Sequence, residues 1–144
     1  MSAPQIEIRR GAEFVSAPYI LDAAAAKAYG EGLESPRRRA PRRGIHDDKD
    51  AARNAGFVAP IAAGEHTIAL IAQFLADNFG MQFMRGGRLE VTLTKPVLFG
   101  DTLISRATID RIVEGNRADL NISVENQRGE NVLLGSAAIR LGET

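Results

Sequence analysis

GEHTIALIAQFLADNF, running from Gly64 to Phe79, is the stretch on which the reading of the fold turns. Ile68, Ile71, Ala72, Leu75 and Phe79 follow one another at i, i+3, i+4, i+7 and i+11, the spacing of one face of an α-helix. Ala69, Leu70 and Phe74 make the remaining surface apolar too, interrupted mainly by Gln73, Asp77 and Asn78. The spacing therefore predicts a helix buried nearly all round, the central element of the fold.

Downstream of this helix, after Gly86-Gly87, the pattern changes period. Leu89, Val91 and Leu93 alternate with Glu90, Thr92 and Thr94, the signature of a strand with one buried face. Thr102 to Val113, Arg117 to Asn126 and Glu130 to Leu141 read as three more strands. Gly115-Asn116 and Arg128-Gly129 fall between them, at hairpin positions where a positive φ is wanted.

Upstream, the stretch from Gln5 to Ile20 reads as extended. Asp22 then precedes Ala23 to Ala28, a capped helix that should stop at Gly30 or Gly32. Pro36, Pro41 and the arginines between residues 37 and 43 make an irregular polar loop. A helical turn over Asp50 to Asn54 follows, ending at Gly56. One sheet wrapped around one helix accommodates this order, so an α+β domain spanning residues 1–144 is expected.

Composition narrows the chemistry. The chain has 144 residues, 44% of them hydrophobic and 25% charged, which is ordinary for one globular domain. It contains 0 Cys, which excludes disulfides, a thiol nucleophile and any thiolate-ligated metal. No apolar run reaches the ~18 residues that read as a membrane span, and the first residues are polar, so a cytoplasmic protein without a membrane partner is expected. The formal charge is +0, yet Arg37, Arg38, Arg39, Arg42 and Arg43 crowd into one loop. Without those five, 13 basic residues face 18 acidic ones. One basic loop on a mildly acidic body suits a phosphorylated small molecule or an acidic partner, whereas nucleic acid needs a wider basic face.

The candidate site residues lie just ahead of the central helix. His46-Asp47-Asp48, Ala52, Gly56-Phe57 and Ile61-Ala62-Ala63-Gly64, in that order, resemble the motif of the MaoC-like hydratases. Lys95-Pro96-Val97-Leu98-Phe99-Gly100-Asp101-Thr102-Leu103 is similar to that family's Pro-Val-x-x-Gly-Asp-Thr-Leu segment. The resemblance extends over roughly residues 20–140. It implies a hot-dog fold, a curved antiparallel sheet around a long helix, and a homodimer or higher homo-oligomer. It also implies an acyl thioester substrate, carried by coenzyme A or an acyl carrier protein. The family's reaction adds water across a 2-enoyl thioester, or removes it. An aspartate and a histidine activate the water, and backbone N–H groups opening the central helix hold the thioester oxygen.

Carried onto this chain, the resemblance gives His46 the proton transfer and Gly64, with Ala63, the oxyanion contact. Imidazole is the side chain best poised for proton transfer near neutrality. An N–H at a helix N-terminus suits an oxygen gaining charge. The family's aspartate, five residues before the histidine, is replaced by Pro41, which has no acid–base chemistry. Two arrangements are open. In one, a longer loop lets Glu34 or Glu31 fold back as the acid; in the other, the dyad is lost. In the second case the chain is a thioesterase relying on a carboxylate such as Glu65, or a non-catalytic acyl-CoA-binding partner subunit.

Each residue also has a plainer reading. His46 can be a structural ligand of the following turn, and Asp48 reads as the cap of that turn with Asp47 solvated. Glu65 complements the helix dipole, or joins His66 and His46 as the acid–base group Pro41 lacks. Arg42 and Arg43 are either solvated or contacts for the phosphates of coenzyme A. No metal is expected, since the spacing of His46, His66 and their neighbouring carboxylates matches no ligand set. No cofactor is expected beyond the coenzyme A of the substrate. Gly30-Glu31-Gly32 is no dinucleotide fingerprint, and neither a phosphate-binding Gly-Lys-Ser/Thr element nor a Gly-x-Ser-x-Gly elbow occurs.

Overall fold

The computed structural model describes residues 7–32, 45–46, 48–58 and 60–142. Two three-residue strands open it, β1 (Glu13–Val15) and β2 (Tyr19–Leu21), where one extended stretch was expected. Ala17-Pro18 divides them: proline has no N–H to give a sheet ladder. Both strands nevertheless pair antiparallel with β4, Phe14 opposite Ala107 and Ile20 opposite Thr102.

Helix α1 (Ala23–Gly32) starts as expected at Asp22, whose Oδ1 accepts from the Ala25 N–H at 2.8 Å. The turn α2 (Lys49–Asn54) is capped by Asp48, whose Oδ1 accepts from the N–H groups of Asp50 (2.8 Å) and Ala51 (3.1 Å). Such a cap is worth about 1 kcal/mol. It fixes the direction in which the chain leaves His46.

The central helix is α3 (Gly64–Phe79). His66, Thr67, Ile71, Phe74, Leu75 and Phe79 are its buried residues. The expectation of burial all round is corrected on one stripe, since Glu65, Ala69, Gln73 and Asp77 are exposed. They recur every four residues and so share a face. Gln73 Nε2 donates to Asp77 Oδ1 at 2.7 Å along it, and Ala69 is small enough to sit in either environment. A short α4 (Met81–Met84), unmarked by any periodicity, follows Gly80.

Four longer strands complete the sheet: β3 (Arg88–Leu93), β4 (Asp101–Val113), β5 (Arg117–Glu125) and β6 (Asn131–Arg140). The order is β1-β4-β5-β6-β3 with β2 also on β4, and every pairing is antiparallel. Gly115 and Asn116, between β4 and β5, both take positive φ (97° and 95°), which glycine adopts freely and asparagine tolerates.

Alternation aims Leu103, Ala107, Ile109, Leu120, Ile122, Val124, Leu133 and Ile139 into one core with Ile71, Phe74, Leu75 and Phe79 of α3. Burying each large side chain contributes about 1.5–3 kcal/mol. A six-stranded antiparallel sheet carrying one long helix is the arrangement expected of the hot-dog fold. Its helix N-terminus opens beside the end of β3 and the loop from β3 to β4.

Candidate active site

Two residues ahead of α2's cap, His46 is held by the chain segment that leads into α3. The Ile61 N–H donates to the Ile45 carbonyl at 3.0 Å, and His46 Nδ1 meets the Ile61 carbonyl oxygen at 2.8 Å. A carbonyl can only accept, so Nδ1 carries the proton and neutral His46 presents Nε2 as its acceptor. That is the form a general base needs.

The other side of the same segment is tied to the β3–β4 loop. Ala62 N–H donates to the Val97 carbonyl at 2.8 Å, and Ile61 forms an antiparallel bridge with Leu98. Between these elements lies a groove of about 250 Å³. It is lined by His46, by Ile61 and Ala62 of the segment leading into α3, by Gly64 and Thr67 of α3, and by Leu93 to Val97 at the end of β3 and in the loop after it. The mixture of apolar wall and few polar groups is that of a small-molecule site.

Gly64 is the first residue of α3, and Ala63 before it makes no side-chain cap. The first N–H groups of a helix have no i−4 partner inside it; the His66 N–H turns back to the Ala63 carbonyl at 2.9 Å, and the Gly64 N–H, at the very start, is the one placed to meet an oxygen in the groove. A side chain at position 64 would collide with Leu93 Cδ1, which lets only glycine sit there without displacing Leu93. Lys95 Nζ is drawn off to Glu130 Oε2 at 2.7 Å, leaving its stem against the groove. Glu130, held also by Arg128 and Asn126, has its carboxyl lowered to about 2, with Lys95 the largest cause.

His66 is placed elsewhere. It is buried, its Nε2 lies 2.9 Å from Tyr19 Oη, and Tyr29 stacks on its ring. Burial lowers its pKa from the ordinary 6.5. Residues 64 and 67 are one turn apart, whereas 66 points about 200° from 64, so the helix itself separates His66 from the groove. Glu65 is exposed and likewise does not line the groove; its charge adds to burial in raising the Tyr29 hydroxyl. Ala63 is half-buried at the cap position. Pro41, Glu34, Arg42 and Arg43 lie outside the described residues, and so does Asp47. Thr67, Leu93, Thr94 and Lys95 were not singled out from sequence. Thr67 was within reach of it, three residues after Gly64 on the same helical face.

A second concavity, about 300 Å³, lies on the outer face of the sheet. It has no histidine and no helix terminus, and its Arg111 and Arg117 both pair with Asp119. Of the two, the groove at His46 is the one that combines an imidazole with the N-terminus of a long helix.

A protein with a hot-dog sheet, a fixed histidine and an uncapped helix N-terminus facing one groove belongs in a definable class. The model of the MaoC like domain matches residues 43–129, and the chain belongs to that family. No match to a curated protein sequence was found. Among solved structures, the chain is similar to an (R)-hydratase from A. caviae involved in PHA biosynthesis, at 20% identity and a TM-score of 0.72, covering 94% of this chain and 98% of that one. It is similar to a MaoC-like dehydratase from Rhodospirillum rubrum, at 27% identity and a TM-score of 0.71, covering 95% and 94%. The third is the C-terminally truncated (3R)-hydroxyacyl-ACP dehydratase complex from Mycobacterium tuberculosis, at 19% identity and a TM-score of 0.62, covering 90% and 96%. The hot-dog fold is thus shown, and it also occurs as assembled subunits. Among the described residues no helix is long and apolar enough to cross a membrane.

Proposed function

We propose that this chain adds water to, or removes it from, a 2-enoyl acyl thioester. The observation that carries the reading is the fixed ring of His46, with Nδ1 on the Ile61 carbonyl and Nε2 left as acceptor, in the same groove as Gly64. In the hydration direction, His46 Nε2 takes a proton from water as the water oxygen bonds C3. The C2=C3 electron pair moves toward the carbonyl, and the thioester oxygen gains charge. The Gly64 N–H donates to that oxygen, which stabilises the enolate. The proton on His46 then passes to C2. Nothing is consumed but water, so no cofactor is required.

The thioester carrier is coenzyme A or an acyl carrier protein. Arg42 and Arg43, three or four residues before His46 in the chain, are suited by bidentate donors to phosphate. Glu34 or Glu31, on the N-terminal side of the arginine-rich loop, replaces the acid that Pro41 lacks. Homo-oligomerisation is supported by β3, an edge strand with Leu93 exposed at its end, which a second copy would cover.

Incubation with crotonyl-CoA and with a medium-chain trans-2-enoyl-CoA tests the reading. Enoyl absorbance and free thiol are followed together. Loss of absorbance without thiol is the expected result. Thiol release instead means thioester hydrolysis, and tight binding without either change means an acyl-thioester-binding subunit.

A further inference from the structure

Asp101 is buried at 3% exposure, yet it lies at the start of β4, away from the groove lining. Its Oδ2 accepts from the Leu98 N–H at 3.0 Å. Its Oδ1 accepts from Gln127 Nε2 at 2.8 Å and from Arg128 Nη1 at 3.4 Å. A buried carboxylate with every donor in place holds its neighbours strongly, because each lost bond would leave charge unsolvated.

The segment it holds is the one that braces His46. Leu98 N–H is on Asp101, and Leu98 is bridged to Ile61. Ile61 in turn supplies the carbonyl that binds His46 Nδ1. Pro96 offers no N–H of its own to fix this loop. The Leu98–Asp101 turn is kept in shape by this carboxylate bond, by the backbone bond from Asp101 N–H to the Leu98 carbonyl (3.0 Å) and by the Gly100 N–H on the Leu21 carbonyl (2.9 Å), of which the carboxylate bond is the one a side-chain substitution can remove.

We infer that Asp101 is a positioning residue for His46: through Leu98 and Ile61 it fixes where the carbonyl stands that selects the Nδ1–H tautomer. The inference rests on the reading of His46 as the proton carrier. Asparagine cannot substitute. It has one acceptor oxygen, so its NH₂ must face either the Leu98 N–H or Gln127 Nε2. Gln127 cannot turn over to help, because its Oε1 already accepts from the Thr102 N–H at 2.9 Å.

The test is Asp101→Asn, with the ring nitrogens of both histidines observed by ¹⁵N NMR beside steady-state kinetics on crotonyl-CoA. The chain has only 2 histidines, and His66 serves as an internal reference for an intact fold. The expected result is a wild-type His46 in the Nδ1–H form and a variant in which Nε2–H is mixed in. Turnover number should fall about 10- to 100-fold with KM little changed, as a misplacement of the order of 1 Å costs. A folded variant with His46 still wholly Nδ1–H, or with kcat unchanged, overturns the inference. Should Asp101→Asn not fold, Gln127→Leu removes one donor from Oδ1, together with the acceptor of the Thr102 N–H, at an exposed position. A smaller shift in the same direction supports the inference there, and an unshifted tautomer overturns it. A wild-type protein that hydrates nothing ends the reading of the reaction, and the tautomer then decides the role of Asp101 alone.

Discussion

The Tyr29 ring lies flat on the His66 imidazole, with centroids 4.3 Å apart and planes 8° from parallel. Tyr19 closes the other side, its ring edge-on at 5.8 Å and its hydroxyl 2.9 Å from Nε2. Three elements, β2, α1 and the first turn of α3, are joined through this one side chain. Their shared cost is that burial disfavours the charged form of the imidazole.

A stability dependence on pH follows. Burial lowers the folded-state pKa of His66 below its ordinary 6.5, so below that pH the unfolded chain binds the proton that the folded one excludes. His66 therefore favours folding above about pH 6.5, and this contribution is lost as pH falls from there through the lowered folded value. Urea midpoints measured from pH 7.5 to 5 should decline, and His66→Phe should flatten the decline within that window. An equal slope in both proteins would exclude His66 as its source.

His46→Ala should lower the hydration rate at least ~100-fold, the usual loss on removing a general acid–base group. The ring is exposed and holds one backbone carbonyl, so the melting temperature should move little. Stopped assays of enoyl-CoA consumption beside calorimetry check both halves. Undiminished turnover would remove His46 from the mechanism and return it to a turn ligand.

Helix α3 and strands β3 to β6 were legible because their periods, 3.6 and 2, are written in the order of apolar residues. Asp22 and Asp48 were legible as caps because the bonds they make are local. His46 and Gly64 were found by their motif, but the His46 tautomer was not, since it depends on a carbonyl fifteen residues away. The environment of His66 lay beyond reach for the same reason: its partner Tyr19 is 47 residues distant. The exposed stripe of α3 was masked by Ala69, an apolar residue indifferent to burial. Thr67, by contrast, needed only the helical spacing already in use.

Glu130 gives a second pH window, at the acid end. Bonds from Lys95, Arg128 and Asn126 lower its carboxyl from 4.5 to about 2. A lowered acid favours folding above its ordinary value, and that contribution is lost as pH falls through about 2. Because the group is solvent-accessible, its effect is small and salt-sensitive. Glu130→Gln should reduce the loss of stability between pH 4.5 and 2, and 1 M salt should narrow the difference from wild type. A difference unaffected by salt would point to packing rather than charge. The same variant frees Lys95 at the groove, so KM for a thioester carrying phosphates should change while kcat holds.

Gly64→Ala separates the site from the fold. Alanine is the better helix former, by less at this first helical position than the about 1 kcal/mol of a helix interior, and position 64 has no positive φ to forbid it. The new methyl meets Leu93 Cδ1, the far end of a side chain that is 47% exposed and free to swing aside. Propensity and displacement therefore nearly cancel, and the denaturation midpoint should stay close to wild type. The groove does not escape, because the methyl and the displaced Leu93 both crowd the place where the Gly64 N–H meets its oxygen. Activity on crotonyl-CoA should fall about 10-fold or more. Leu93→Ala in the same chain should restore part of it by making room. Activity that survives Gly64→Ala intact would mean that the thioester oxygen is held elsewhere. A midpoint that collapses would mean that Leu93 is fixed by its neighbours rather than free.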